Sequence, residues 1–388
     1  MRRRSKYLII YLILINCATT CKKNTGKPVV EIVAGVMNIH NTPGPQHPNM
    51  YVVFEEEFTY NGYDERDGDR LFNPGNFTVD LQGNMYIEDS SDMAIKSYDE
   101  QGKYIRTIGR KGNGPGEFAG IGDIITLPDG RLLVNDFQAR RTSFFGQSGK
   151  FLTSFQWKRD FGRIYLATDS SYTLEEIVFA EKKQRLYIRT IAFSGEEIMT
   201  LGQFHLPETR MFRLGDNIVR SVIPWSPASV FAGDPKRQWV YHCPGDKYLI
   251  EVYDKQGKLF RKIDRPYKPV SVTDEDITKL KSRFADKPNS PAAKIYQQME
   301  FPKIKPIIDR VLVDNDGKLW AKTSEVERED GKERFAYEII NEDGFYSAKV
   351  WVDINPHLFA SGKMYGFAED RITGMRHIKR YRITWKYR

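Results

Sequence analysis

The chain has 388 residues, with 59 Lys and Arg against 51 Asp and Glu, a formal net charge of +8. Apolar residues make up 40% and charged residues 28%, which excludes a disordered chain and leaves enough material for a large core. Four of the basic residues precede Cys21 and no acidic residue does, so the balance beyond that point is +4. These charges are interleaved in sign, which gives no ground for a nucleic-acid partner.

The N-terminus reads as a targeting segment. Arg2, Arg3, Arg4 and Lys6 form a positive region, and Tyr7 to Ile15 is an apolar run of nine residues. Such a run is too short to span a bilayer and suits a signal peptide. Ala18-Thr19-Thr20-Cys21 places small residues before a cysteine, the pattern of a bacterial lipoprotein signal over 1–20 with lipidation at Cys21. A secretory signal cut near Thr20 is the alternative. The lipoprotein reading predicts a cell-envelope location, held to the membrane by the lipid alone, on the periplasmic side or at the outer-membrane surface. Residues 21–50 contain Pro28, Pro43, Pro45 and Pro48 and read as a tether. With Cys17 and Cys21 so placed, Cys243 has no disulfide partner and reads as a small hydrophobe at a strand end.

From Tyr51 to the end the pattern is short alternating strands broken by turn residues. Tyr51 to Tyr60 reads as a lone strand. Phe77 to Asp80, Met85 to Glu88, Ala94 to Tyr98 and Lys103 to Ile108 then form four strands, with Gly83 and Gly102 in the turns. The unit recurs. Gly83 to Gly130, Asp89 to Asp136 and Gly102 to Gly149 are each 47 positions apart. Tyr86, Ile95, Tyr98, Gly102 and Ile108 reappear 155 positions on as Tyr241, Ile250, Tyr253, Gly257 and Ile263. The units fall at about 77–109, 118–156, 160–202, 225–263, 305–352 and 355–386, the last with three strands. A unit of this kind cannot bury its apolar face alone. The fold class expected is therefore all-β, a single domain over 51–388: a six-bladed β-propeller of four-stranded antiparallel blades, closed by the N-terminal strand. Thr273 to Phe284 carries a capping box and helical spacing, and Pro291 to Met299 a second helical pattern, so a short helical insertion is expected between blades 4 and 5.

Gly109-Arg-Lys-Gly112-Asn-Gly114-Pro-Gly116-Glu-Phe118 and the Asp-x-x-Gly-Asn-x-Tyr-x-x-Asp run from Asp80 to Asp89 resemble NHL-repeat propellers. The whole chain is similar to the six-bladed β-propeller lipoproteins of Bacteroidetes. The resemblance implies a fold. For function it implies only a range, from RNA-binding and protein-interaction platforms to a metal-dependent lyase.

Candidate chemistry is sparse. The glycines from Gly109 to Gly116 precede a strand rather than a helix, so they suit a crossing between blades better than a phosphate loop. Asp80, Asp89, Asp136 and Asp314 recur by repeat and read as caps of turn N–H groups. Their alternative is a carboxylate ring for Ca²⁺ or another divalent ion. The six histidines show no metal-type spacing, and no Ser lies in a nucleophile elbow. Arg110, Lys111, Arg140 and Arg141 fall in connections expected on one face and form a possible binding face for an acidic partner or charged glycan. The sequence therefore points to a non-catalytic envelope module that binds or scaffolds a protein or glycan. The alternative is a hydrolase or lyase with a divalent metal in the central channel.

Overall fold

Blade 1 forms where its alternation predicts, as strands Pro74–Val79, Met85–Asp89, Ala94–Tyr98 and Tyr104–Ile108. Gly83 takes the left-handed backbone its turn requires, with φ of 85°. The computed structural model describes residues 26–60, 71–157, 161–180, 183–329, 332–369 and 376–388. The expected signal peptide and Cys21 lie outside the described residues.

Six such sheets follow one another in the chain. Blade 2 is Ile121–Thr126, Leu132–Asp136, Arg141–Phe145 and Phe151–Gln156. Blade 3 is Phe161–Ala167, Ser171–Ala180, Lys183–Ala192 and Glu197–Phe204. Blade 4 is Val230–Asp234, Trp239–Cys243, Leu249–Tyr253 and Leu259–Asp264. Blade 5 is Ile308–Val313, Leu319–Glu329, Lys332–Ile340 and Tyr346–Val352. Blade 6 has Asn355–Ala360, Lys363–Glu369 and Arg376–Tyr387, and Met50–Tyr60 pairs antiparallel with the last of these as its outer strand. The fold is the six-bladed propeller that the repeats predict, closed by the N-terminal strand.

The core is divided among the joints between blades. Ile95 and Ile108 of blade 1 meet Ile124, Val134 and Phe145 of blade 2. Leu133 and Phe144 of blade 2 meet Ile164 and Leu174 of blade 3. Equivalent clusters lie between blades 3 and 4, 4 and 5, 5 and 6, and 6 and 1. Each large apolar side chain buried there contributes about 1.5–3 kcal/mol relative to exposure. A blade alone would leave both faces wet, which is why the ring must close.

Among the described residues, three pieces stand outside the blades. Val29–Val33 and Val36–His40 form a hairpin whose second strand lies parallel to Leu259–Asp264 of blade 4. Within the expected tether over 21–50, residues 29–40 are therefore docked on the propeller. The hairpin satisfies the outer edge of blade 4 and buries Ile39 completely. Thr209–Leu214 and Asn217–Val222 form a second hairpin between blades 3 and 4. Helices Asp274–Ser282 and Pro291–Gln298 lie between blades 4 and 5, with Thr273 in a capping box and Pro291 at the first turn, as predicted. The hairpin and second helix share a small core of Phe212, Ile223, Ile295 and Met299.

Candidate functional site

A propeller strand that leads into a blade starts on one face of the disc, and the second strand returns to that face. The long hairpin at 209–222 and both helices occupy blade-to-blade connections, so they stand on this same face. Blade 5 adds to it, because its second strand, Leu319–Glu329, has 11 residues where that of blade 1 has 5. The inserted material is therefore concentrated on one surface.

The expected basic patch is only partly assembled on it. Arg110, Lys111 and Arg140 are exposed. Arg110 pairs with Glu117 at 2.8 Å. Arg141 is buried, which corrects its assignment to a binding face. It belongs to the third strand of blade 2, where its guanidinium donates to the carbonyls of Asn113 and Glu117. It thus ties down the glycine-rich crossing. Gly109 is required there, since a Cβ would lie 2.2 Å from the Phe118 ring. The recurrent aspartates are also structural. Asp89 accepts from the N–H groups of Phe72 and Asn73, and Asp136 from those of Ala119 and Gly120. Asp80 and Asp314 cap turns on the opposite face. Among the described residues no group of three His, Cys, Asp or Glu could hold a metal ion.

What the sequence did not reveal is a cleft of about 570 Å³ between the first helix, the turn after the 209–222 hairpin, and blade 5. Trp225 and Phe335 supply its aromatic walls. Trp225 has φ of 61°, a left-handed conformation that a bulky residue seldom adopts, and its ring meets Phe301 edge-on at 5.5 Å. Between the aromatic groups the lining consists of paired charges. Lys279 meets Glu333 at 2.5 Å, Arg328 meets Glu275 at 2.8 Å, Lys305 meets Asp276 at 2.7 Å and Lys322 meets Asp309 at 3.0 Å. The bond from Lys279 holds the Glu333 carboxyl below its ordinary value. Burial would raise Asp276, but Lys305 and Thr273 outweigh it and lower that carboxyl too. Both carboxyls therefore stay ionised at neutral pH, and a carboxylate or ammonium in a single ion pair keeps hydrogen-bonding capacity to spare. The first helix buries no residue of its own, so ion pairs do much to hold it over the opening. Exposed pairs of this type contribute about 0–1 kcal/mol each. The helical pattern at 273–300 was the sole local signal of this site. Trp225 and Phe335 come from distant segments and carry no shared motif.

A second constellation has catalytic geometry. His242 Nε2 lies 3.0 Å from Ser229 Oγ, and His242 Nδ1 lies 3.0 Å from Glu251 Oε2. The imidazole holds the Glu251 carboxyl below its usual range. This is the relation of nucleophile, base and orienting acid. However, Ser229 Oγ also accepts the N–H of His205, and Phe204 and Phe231 pack on the imidazole. Ser229 is 9% exposed and His242 5%. The three residues latch the stem of the 209–222 hairpin to blade 4.

Residues 77–191 match a protein family, DUF5128, described as a 6-bladed beta-propeller. The module is a six-bladed propeller. No curated protein matches the chain. A DUF4221 family member from Bacteroides vulgatus is similar in structure at 10% identity and a TM-score of 0.53, over 87% of this chain and 99% of its own. A putative exported protein from Bacteroides fragilis is similar at 10% identity and a TM-score of 0.51, over 89% of this chain and 99% of its own. At these identities the likeness shows the fold alone. Virginiamycin B lyase from Staphylococcus aureus aligns at 12% identity over 85% of this chain and 99% of its own, but its TM-score of 0.42 carries no argument.

Proposed function

We propose that this propeller is a non-catalytic binding module of the cell envelope, of the NHL-type lipoprotein kind, which seats a glycan in the cleft beside blade 5. The observation that carries the reading is the composition of that cleft: aromatic walls from Trp225 and Phe335 enclosing ion pairs with unused hydrogen-bonding positions. Aromatic faces suit the C–H faces of sugar rings, and fixed charged groups suit hydroxyls, since bonds to ionised partners are the stronger ones. The envelope location and lipid anchor rest on residues 2–21 of the sequence, and the Bacteroides fragilis structure of the same fold is described as a putative exported protein.

The test is calorimetric titration of the folded protein with a panel of neutral and acidic oligosaccharides, repeated with Trp225→Ala. Binding that weakens about tenfold or more in the variant, roughly 1.4 kcal/mol, is expected. Absence of binding across the panel, or equal binding by the variant, would refute the glycan seat. Capture of a defined protein ligand by the cleft would replace the glycan with a polypeptide. For the anchor, Cys21→Ala is expected to move the protein from the membrane fraction to the soluble fraction of cells, and unchanged fractionation would overturn it.

A further inference from the structure

One position recurs in the innermost strand of every blade. It lies across the ladder from Glu88 in blade 1 and from the counterparts of Glu88 elsewhere, and it is occupied by Asn76, Asp123, Arg163, Val230, Arg310 and Asn355. In the five blades where this residue is polar the inner ladder is broken by a register shift close to it, and in blade 4, with Val230, the ladder is regular. Bulges of this kind re-aim side chains.

Most members of the ring are used to join blades. Asn76 donates to the carbonyl of Gly122 at 2.8 Å, and Asp123 accepts the N–H of Ile164 at 2.7 Å. Arg310 Nη1 donates to Asn355 Oδ1 at 3.1 Å and to the carbonyl of Pro356 at 3.0 Å. Arg163 differs. It is exposed, and among the described residues it makes no hydrogen bond or ion pair. Its charge acts on Asp123 in blade 2 and on His357 in blade 6. Arg163 lies on the innermost strand of blade 3, and blade 6 is opposite in a six-membered ring, so its charge acts on His357 from across the channel.

His357 is the bulged residue of blade 6. Its ring lies 4.8 Å from that of Phe77 and 4.9 Å from that of Phe367, and Arg376 covers Phe367 at 4.8 Å. Burial, together with the charges of Arg163, Arg310 and Arg376, lowers the imidazole to about 4. It is therefore neutral at pH 7 and offers an N–H without adding charge. Asp123 directs its two oxygens at the N–H groups of Ile164 and Ile124 and, among the described residues, makes no ion pair with Arg163, so its charge offsets the cluster only from a distance. Glu175 accepts the hydroxyl of Tyr165. Arg310 keeps donors beyond its Nη1 bonds.

We propose that the channel mouth is an oxyanion seat, in which Arg163, Arg310 and the imidazole of His357 together bind one carboxylate, phosphate or sulfate group. A guanidinium presents a rigid fork of donors that matches such groups. The seat is separate from the cleft beside blade 5 and does not depend on the glycan reading.

The experiment is a thermal-shift and calorimetric titration of the whole folded protein with inorganic phosphate, inorganic sulfate and glucuronate, at ionic strength held constant with sodium chloride. At least one probe is expected to raise the melting temperature and to bind with one-to-one stoichiometry. Phosphate against glucuronate distinguishes a phosphate ligand from an acidic sugar. Arg163→Gln, which removes no bond among the described residues, is expected to melt like the parent and to weaken that binding about tenfold or more. Trp225→Ala is expected to leave it unchanged. No response to any probe beyond the chloride control, or an undiminished response in Arg163→Gln, would overturn the seat.

Discussion

Ser229 and His242 share a 3.0 Å hydrogen bond in the arrangement of a hydrolase nucleophile and its base, yet the serine oxygen also holds the N–H of His205. A latch and an active site make opposite predictions. A fluorophosphonate probe is expected to leave Ser229 unlabelled in the folded protein. Ser229→Ala is expected to destabilise by about 1–3 kcal/mol in chemical denaturation, because it orphans the groups that the hydroxyl joins. Labelling that disappears in Ser229→Ala would make this an esterase-type site and remove the non-catalytic reading.

Arg141 and Arg110 separate the two roles that neighbouring basic residues can take. Arg141→Ala removes the donors that hold the carbonyls of Asn113 and Glu117, and is expected to cost about 1.5–3 kcal/mol. Arg110→Ala removes an exposed ion pair and is expected to stay within about 0.5 kcal/mol. Equal urea midpoints for the two variants would contradict the burial of Arg141.

Closure of the ring is testable by removing residues 50–60. The deletion strips Arg376–Tyr387 of its outer partner and breaks the ion pairs of Glu57 with Lys363 and Glu56 with Lys379, each at 2.7 Å. The thermal transition is expected to fall by on the order of 10 °C or to lose its cooperativity. A variant that melts as the parent does would refute the latch.

Docking of the N-terminal hairpin should weaken as pH rises. The bond to Asp264 raises the imidazole of His40 above its ordinary value against partial burial, with help from Glu31. A raised value means that the charged form is favoured in the folded state. Its contribution is complete below the unfolded value near 6.5 and is lost as pH climbs through the folded one. Amides of Val36–His40 are expected to exchange faster at about pH 8.5 than at about pH 5.5, after correction for intrinsic rates, and His40→Phe to abolish the difference. The same ratio in the parent and variant would exclude His40 as the cause.

Much of the architecture was legible because turn chemistry is local. Gly83, Gly130 and Gly317 all adopt the positive φ expected of repeat-equivalent turns. Thr273 closes the capping box read from its spacing to Asp276. The strand at Met50–Tyr60 was recognisable because the last unit lacked one. Other features carried no local sign. The parallel docking of Val36–His40 on blade 4 depends on an edge more than 200 residues away. The 209–222 hairpin fell between repeats and matched none of them. Asp89 binds the N–H of Phe72 where Asp136 binds that of Ala119, so Leu71 is the counterpart of Phe118, an equivalence that rests on hydrogen bonds and not on a shared residue type.

By itself the sequence determined the number of blades, their strands and turns, and the manner of closure, because those follow from periodicity and from residues that only certain backbone angles accept. The tertiary structure decided which polar side chains meet. Whether Arg141 is buried while Arg163 is exposed, and whether Trp225 and Phe335 line one cleft, depends on how neighbouring blades and insertions pack. Those distances are set by contacts between segments far apart in the chain, for which no local pattern codes.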